Sequence, residues 1–132
     1  MASDEQTPLV VVIVGPCASG KSTLAAALRE AGLDVRIVAQ EHSIVADLWR
    51  RQHPDLLIGL DVDLPTLRER RSPTWPASVY ASQRERLAPA FAAADLVVDT
   101  TPLDAAEVIA VVRDWLRERG LDGVGEPPIS SG

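Results

Sequence analysis

The hydrophobic pattern along the chain alternates between short apolar runs and segments with helical spacing. Leu9–Val14 is continuously apolar and rich in β-branched residues, which is typical of a strand covered on both faces in a parallel sheet. Further strands are predicted at Val35–Ala39, Leu56–Leu60 and Leu96–Asp99. The alternation predicts an α/β fold, a three-layer sandwich with helices on both faces of a parallel sheet of about four strands in the order 2-1-3-4.

The spacing of apolar residues predicts two helices in the segments between the first three strands. One helix runs from Gly20 to about Ala31, and Gly32 is placed for a left-handed C-cap. A second helix is predicted over Ser43–Gln52, where four apolar side chains share one face: Ile44, Val45, Leu48 and Trp49. His53 and Pro54 are expected to end this second helix.

Three more helices are predicted in the second half of the chain. Asp63 is placed to cap a short helix that ends at Arg71, and the turn formers of Ser72–Pro76 follow it. Helical spacing resumes at Tyr80, Gln83, Leu87 and Phe91, in a segment that Pro89 is expected to kink or split. Asp104 and Glu107 have capping-box spacing, and they open a final helix with an apolar stripe: Val108, Val111, Val112, Trp115 and Leu116.

The length of 132 residues suits one domain. We predict a disordered N-terminus over residues 1–7, a domain over residues 8–119 and a flexible tail over residues 120–132. No apolar run approaches the roughly 20 residues that cross a bilayer, and no basic leader precedes the first strand. A cytoplasmic protein without a membrane partner is therefore expected. The net charge of −6 argues against a nucleic-acid partner.

The sequence after the first strand carries the candidate chemistry. It matches the pattern G-x-x-x-x-G-K-[ST], in which glycines let backbone N–H groups turn inward and the following helix N-terminus adds positive dipole. The pattern predicts a loop that binds an oligophosphate, and the predicted binding residues are Gly15, Pro16, Cys17, Ala18, Ser19, Gly20, Lys21, Ser22 and Thr23.

The residue types in this loop predict individual contacts. Lys21 is expected to reach the β- and γ-phosphates, the Ser22 hydroxyl to bind Mg²⁺, and Thr23 to lie near the α-phosphate. Lys21 is the only lysine among 13 basic residues, and a slim ammonium reaches between phosphates where a guanidinium is bulkier. ATP is expected rather than GTP, because the Asn/Thr-Lys-x-Asp motif that recognises guanine would need a second lysine. Cys17 is either a redox-active thiol beside Lys21 or a small residue that fills a tight loop.

With this loop, the chain resembles the P-loop kinases of nucleotides and small metabolites, which include thymidylate, shikimate, gluconate and adenylylsulfate kinases. The likeness covers nearly all of residues 9–119. Pro54–Val62, followed by Leu67 and Arg68–Arg71, is similar to the strand that leads into the family's lid. Ala94–Thr100 and Asp104–Val108 are similar to its last strand and final helix. The resemblance implies a P-loop NTPase fold, ATP and Mg²⁺ as cofactors, and transfer of the γ-phosphate to a small acceptor.

The resemblance also implies roles outside the loop. Lid arginines in these kinases close over the γ-phosphate, and Arg71 and Arg84 are the catalytic candidates here, beside Arg68, Arg70 and Arg86. Alternatively, these arginines pair with Glu69 and Glu85 on an ordinary solvated helix face. Thr101 and Pro102, in the loop after the last strand, are expected near the nucleotide base.

Two acidic residues compete for the place beside Mg²⁺. Glu41 follows the second strand, where it would bind the metal or act as a base that orients an acceptor hydroxyl, and Asp61 at the end of the third strand is the rival. Each is equally explained as a solvent-facing residue at a strand end. His42 and His53 have the wrong spacing for a metal pair on one helical face and are interpreted as surface or packing residues.

Three functions remain open. The first is a kinase, and the second is a regulatory nucleotide-binding protein or slow ATPase with a degenerate acceptor site. The third is an interaction scaffold that retains the loop. The family has five strands and a larger acceptor region than this chain offers between Ala39 and Pro54. Trp49 and Trp75 discriminate between these functions: lining a cleft opposite the loop would favour a planar or sugar acceptor, and burial in the core would weaken the enzyme hypothesis.

Overall fold

The computed structural model describes residues 9–121, and four strands lie within them. These are β1 (Val10–Val14), β2 (Asp34–Ile37), β3 (Leu56–Asp61) and β4 (Leu96–Asp99). They form one parallel sheet in the order β2-β1-β3-β4. The predicted α/β fold and strand order are confirmed. The predicted N-terminal segment, residues 1–7, and nearly all of the predicted tail lie outside the described residues.

Four α-helices connect and follow these strands: α1 (Lys21–Glu30), α2 (Leu64–Arg70), α3 (Ala77–Ala93) and α4 (Ala105–Glu118). Two short 3₁₀ helices, Gln40–His42 and Leu48–Gln52, lie between β2 and β3. The predicted caps are present: the Asp63 carboxylate accepts the Thr66 N–H, and Asp104 and Glu107 form a capping box. No helix in the described part of the chain is long and apolar enough to cross a membrane.

Helices cover both faces of the sheet, so the three-layer arrangement is also confirmed. Because successive side chains of a strand point to opposite faces, Val11 and Ile13 pack in a core formed with α1 and α4, whereas Val12 and Val14 pack beneath α3. All four side chains are fully buried. The apolar run of β1 therefore joins two cores, and its end lies at the loop that carries the candidate chemistry.

The helix predicted over Ser43–Gln52 is wrong. Only a 3₁₀ helix forms, at Leu48–Gln52, and Ile44 is 88% exposed. The buried Gln40 side chain is the physical reason: its Nε2 donates to the Val45 carbonyl at 2.6 Å and its Oε1 accepts the Trp49 N–H at 3.0 Å. In an α-helix these two backbone groups would bond to each other, so the Gln40 amide takes the place of a helical hydrogen bond.

Two smaller expectations also change. Pro89 does not split its helix, because α3 runs unbroken from Ala77 to Ala93. The apolar stripe of α4 is narrower than predicted: Val108, Val112 and Leu116 are buried, but Val111 is 40% exposed. A residue one position before a buried residue lies about 100° away around a helix, at the margin of the face.

Candidate functional site

The loop between β1 and α1 is held by close backbone contacts. A Cβ on Gly15 would lie 2.4 Å from the Leu60 carbonyl oxygen and 2.7 Å from Ser19 Oγ, so only glycine fits there. Ala18 and Gly20 adopt left-handed φ values of 64° and 94°, and Gly20 is the N-cap of α1. The loop therefore folds back onto the end of the sheet and leads directly into the positive end of the helix.

Lys21 points back over this loop. Its Nζ donates to the carbonyls of Gly15 and Pro16 and to Glu41 Oε2, the last at 2.9 Å. Both side chains of the Lys21–Glu41 pair are largely buried. Of the two acidic candidates, Glu41 is therefore the one that the structure brings to the loop lysine.

The Asp61 carboxylate has a different partner from that of Glu41. Its carboxylate accepts a hydrogen bond from Arg84, which also donates to the Tyr80 hydroxyl at 3.1 Å. The bond to Asp61 is the main cause that raises the pKa of the Arg84 guanidinium. Neither Asp61 nor Arg84 lines the cavity at the loop. The structure thus pairs two predicted site residues with each other at the end of β3.

A cavity of about 380 Å³ opens over the loop. One wall is the loop and the first turn of α1, with the exposed Ser22 hydroxyl, and the other holds the buried Glu41 and the exposed His42 and Arg71. Among the predicted lid arginines, Arg71 is the one that lines this cavity. The concave site therefore gathers the loop, the N-terminus of α1, one ammonium, one guanidinium, one imidazole and one carboxylate.

A second cavity, of about 200 Å³, also borders the loop. It is bounded by Ala18, Thr23, Thr100 and Ala105, and Arg70 forms part of its wall. The Arg70 guanidinium donates to the Ala18 carbonyl at 3.0 Å and to the Thr100 carbonyl at 2.9 Å. Arg70 thus ties the loop to the segment after β4. The predicted base contacts Thr101 and Pro102 lie in that segment but do not line this cavity.

The remaining arginines and the two discriminating tryptophans take separate positions. Arg68 donates to the Trp75 carbonyl at 3.0 Å, and Arg86 donates to the Glu41 carbonyl at 3.3 Å. Trp49 is buried in the core beneath α3, whereas Trp75 lines a cavity of about 310 Å³ that includes His42 and Arg86. One tryptophan is therefore core material and the other borders a cleft beside the loop.

Sequence reasoning missed two residues at this site. Gln83 of α3 is buried, accepts the Cys17 N–H at 3.3 Å, and directs its Nε2 to Cys17 Sγ at 3.6 Å. His42 Nε2 lies 3.6 Å from Glu41 Oε2 and 3.9 Å from Cys17 Sγ. A polar Gln83 in an otherwise apolar helix stripe was the available signal, because a buried amide needs a partner. His42 carried no comparable signal.

Comparison with known proteins gives a partial match. No protein-family model matches the chain. A curated protein named nucleotide-binding protein, from Histophilus somni strain 2336, is 32% identical over 99 residues, which cover 64% of this chain and 35% of the relative. A protein of the same name from strain 129Pt matches to the same extent. This chain spans about a third of the length of these curated relatives.

Proposed function

We propose that the chain binds ATP with Mg²⁺ at the loop formed by residues 15–22. The observation that carries this proposal is the position of Lys21, the sole lysine, whose ammonium is held over the loop by two loop carbonyls and Glu41. Phosphate oxygens are stronger acceptors than backbone carbonyls for such a cation, and they would replace these partners. The name of the two Histophilus somni relatives supports nucleotide binding.

The residues around the loop suit a triphosphate and a hard cation. The cavity over the loop is lined by the N-terminus of α1, by Lys21 and by Arg71, and all three favour negative charge. The Ser22 hydroxyl and the Glu41 carboxylate supply the oxygen ligands that Mg²⁺ prefers, and Glu41 Oε1 is buried without a partner within residues 9–121. When bound, Mg²⁺ would neutralise phosphate charge.

The second cavity supports a place for the nucleoside. It lies beside Thr23, the residue expected near the α-phosphate, and Arg70 closes it against the segment after β4. The preference for adenine over guanine rests on the sequence. The motif that recognises guanine needs a lysine, and the sole lysine of this chain already lies in the loop.

We further propose transfer of the γ-phosphate to a small acceptor. Support comes from the cleft lined by Trp75 and Arg86, which shares His42 with the cavity over the loop. An acceptor in this cleft would lie next to Glu41, which in the alternative to its role at Mg²⁺ would hold the proton of an acceptor hydroxyl. Arg71 would stabilise charge that develops on the transferred group.

A regulatory protein or slow ATPase is the alternative function. It is favoured by the segment between β2 and β3, where an acceptor region would be expected. The two 3₁₀ helices there are tied down by the buried Gln40 side chain, and Trp49 lies in the core. This segment therefore adds few groups to the cleft.

An acceptor screen separates the two functions. The protein is incubated with γ-labelled ATP, Mg²⁺ and a panel of nucleosides, nucleoside monophosphates, sugars and small hydroxy acids, and labelled product and ADP are measured. A kinase gives labelled acceptor, and the amount of this product should fall in Arg71→Gln. It should not fall in the control Arg51→Gln, because Arg51 is exposed on a 3₁₀ helix. ADP release that no acceptor stimulates would support the slow ATPase instead.

A further inference from the structure

Three metal-ligating side chains meet at the edge of the loop cavity. The Cys17 thiol, the Glu41 carboxylate and the His42 imidazole each offer one ligand atom, and these three atoms all lie within 4.8 Å of one another. Cys17 comes from the loop and the other two from the 3₁₀ helix Gln40–His42. The fold therefore places a sulfur, an oxygen and a nitrogen ligand around one point.

The burial of Glu41 is an independent sign of a ligand. Its side chain is 5% exposed, and its Oε1 is buried with no hydrogen-bond partner among the described residues. A buried carboxylate oxygen normally has a partner, and one without a protein partner points to a bound group or ion. Lys21 donates to the other oxygen, Oε2, so the carboxylate has one oxygen paired with a cation and one without a partner in the described part of the chain.

The distances between the ligands suit a tetrahedral zinc ion. With ordinary Zn–S, Zn–N and Zn–O bonds, a tetrahedral site separates sulfur from nitrogen by about 3.6 Å and oxygen from nitrogen by about 3.4 Å. The observed separations are 3.9 Å for Cys17 Sγ to His42 Nε2 and 3.6 Å for His42 Nε2 to Glu41 Oε2, the oxygen that a metal would take over from Lys21. Side-chain shifts of a few tenths of an ångström would close these two edges.

Neighbouring residues hold the two chain segments that carry the three ligands. Gln83 holds the Cys17 backbone and directs its Nε2 to Cys17 Sγ, which suits a sulfur that carries negative charge. Arg86 donates to the Glu41 carbonyl and so anchors the 3₁₀ helix. Hydrogen bonds of this kind around metal ligands commonly set their geometry.

The charge balance also permits a dication. The thiolate and the carboxylate together carry two negative charges, against the ammonium of Lys21. Lys21 retains the Gly15 and Pro16 carbonyls as acceptors if Glu41 turns toward a metal. Binding would form a Zn–S bond and release the Cys17 thiol proton to solvent, without oxidation or reduction.

We propose that Cys17, Glu41 and His42 form a zinc site with three protein ligands and an open fourth position for water. A sulfur and an imidazole ligand select a borderline metal such as Zn²⁺ over Mg²⁺. Glu41 is shared with the site proposed for Mg-ATP, so zinc and Mg-ATP compete. This consequence alone rests on the proposed function, since zinc binding itself requires no nucleotide.

Cobalt(II) spectroscopy tests the site directly, on untagged full-length chain without nucleotide. The chain has one cysteine, so thiolate-to-cobalt charge-transfer absorption reports Cys17 specifically. We expect one equivalent of Co²⁺ to give this absorption in a monomer and Zn²⁺ to displace it. Absence of the band, or a band that appears only when the chain dimerises, would overturn the proposal.

Matched histidine variants test the ligand set. His42→Asn should weaken Co²⁺ binding by at least about tenfold, as should Glu41→Gln, because ligand loss costs no less than loss of an outer contact. His53→Asn is the control, since His53 is exposed and its left-handed φ of 53° is one that asparagine tolerates. Equal affinity in His42→Asn and His53→Asn would overturn the assignment.

Two further measurements keep the test independent of folding and of nucleotide binding. In the unaltered chain, Zn²⁺ should slow alkylation of Cys17, and Mg²⁺ at the same concentration should not. If ATP binds, Zn²⁺ should raise the apparent Kd for Mg-ATP. A chain that shows cobalt absorption but no ATP binding would support the zinc site and contradict the proposed function.

Discussion

The ammonium of Lys21 and the carboxylate of Glu41 form an ion pair 2.9 Å long, with side chains 13% and 5% exposed. Removing one member leaves the other charge buried without its counter-charge. This lowers the stability of the fold far more than removing one member of an exposed pair. We therefore expect Lys21→Met to lower the free energy of unfolding by about 3 kcal/mol. The double variant Lys21→Met/Glu41→Gln should recover most of that loss, and urea unfolding measures both.

The exposed pair Arg36–Asp34 is the matched control. Its N–O distance is also 2.9 Å, but its side chains are 42% and 40% exposed, so Arg36→Met should cost less than about 1 kcal/mol. Equal losses in Lys21→Met and Arg36→Met, or no recovery in the double variant, would show that burial does not govern the Lys21–Glu41 pair.

Substitution by alanine should lower the free energy of unfolding by different amounts at Gly15 and at Gly59. A Cβ on Gly15 would meet the Leu60 carbonyl at 2.4 Å, and this backbone group cannot move without the sheet. A Cβ on Gly59 would meet the Phe91 ring at 2.7 Å, and that side chain can rotate. We expect Gly15→Ala to cost about 3 kcal/mol and Gly59→Ala about 1 kcal/mol in thermal or urea unfolding. The reverse order would contradict the close contact at the loop.

Tyr80 gives a prediction of pH dependence. Burial raises the pKa of the Tyr80 phenol above its ordinary value of 10.0, and the neighbouring Arg84 opposes part of that rise. The neutral phenol is the form that the fold favours. Its contribution to stability is complete below the unfolded pKa, near 10, and is lost as the pH rises through the higher folded pKa.

Absorbance titration of the phenolate measures this directly, because the chain has a single tyrosine. The folded midpoint should lie above that of the urea-unfolded chain, and Arg84→Met should raise it further. A folded midpoint at or below the unfolded one would contradict the placement of Tyr80 against Val62 and Arg84.

If the second cavity holds the nucleoside, a substitution there should affect binding of the nucleoside but not binding of the phosphates. Ala105 lines this cavity and the adjacent Ala106 does not, although both are exposed at the start of α4. Ala105→Phe should weaken ATP binding and leave tripolyphosphate binding unchanged, whereas Ala106→Phe should change neither. Competition of each ligand against a fluorescent ATP analogue provides the measurement. Equal effects of the two substitutions on ATP would place the base elsewhere.

The sheet and the loop were predictable because their signals are contiguous. The apolar run before Gly15 marks a strand buried on both faces, and the glycine–lysine pattern follows within a few residues. The expected strand order 2-1-3-4 is confirmed, although alternation and right-handed crossovers alone leave other orders open. The signals for the strands and for the loop act between neighbours along the chain.

The rest of the site depends on contacts between distant residues. Gln83 meets Cys17 across a separation of 66 residues, and Arg84 takes Asp61 as its partner from 23 residues away. That second pairing distinguishes Asp61 from Glu41, and no local pattern encodes it. The helix predicted at Ser43–Gln52 failed for a more local reason: Gln40, whose side chain bonds to the Val45 carbonyl and the Trp49 N–H, lies just outside the apolar pattern that suggested the helix.

ATP binding to variants of Lys21 tests the central claim most directly. Isothermal titration with Mg-ATP compares the unaltered chain, the single variant Glu41→Gln, the double variant Lys21→Met/Glu41→Gln and the control Arg36→Met. We predict that losing hydrogen bonds from the Lys21 ammonium to phosphate weakens binding, relative to Glu41→Gln, by about 1.5–3 kcal/mol, or roughly 10- to 150-fold, while Arg36→Met leaves it unchanged relative to the unaltered chain. Tight, Mg²⁺-dependent ATP binding that persists without Lys21 would contradict the assignment of the loop.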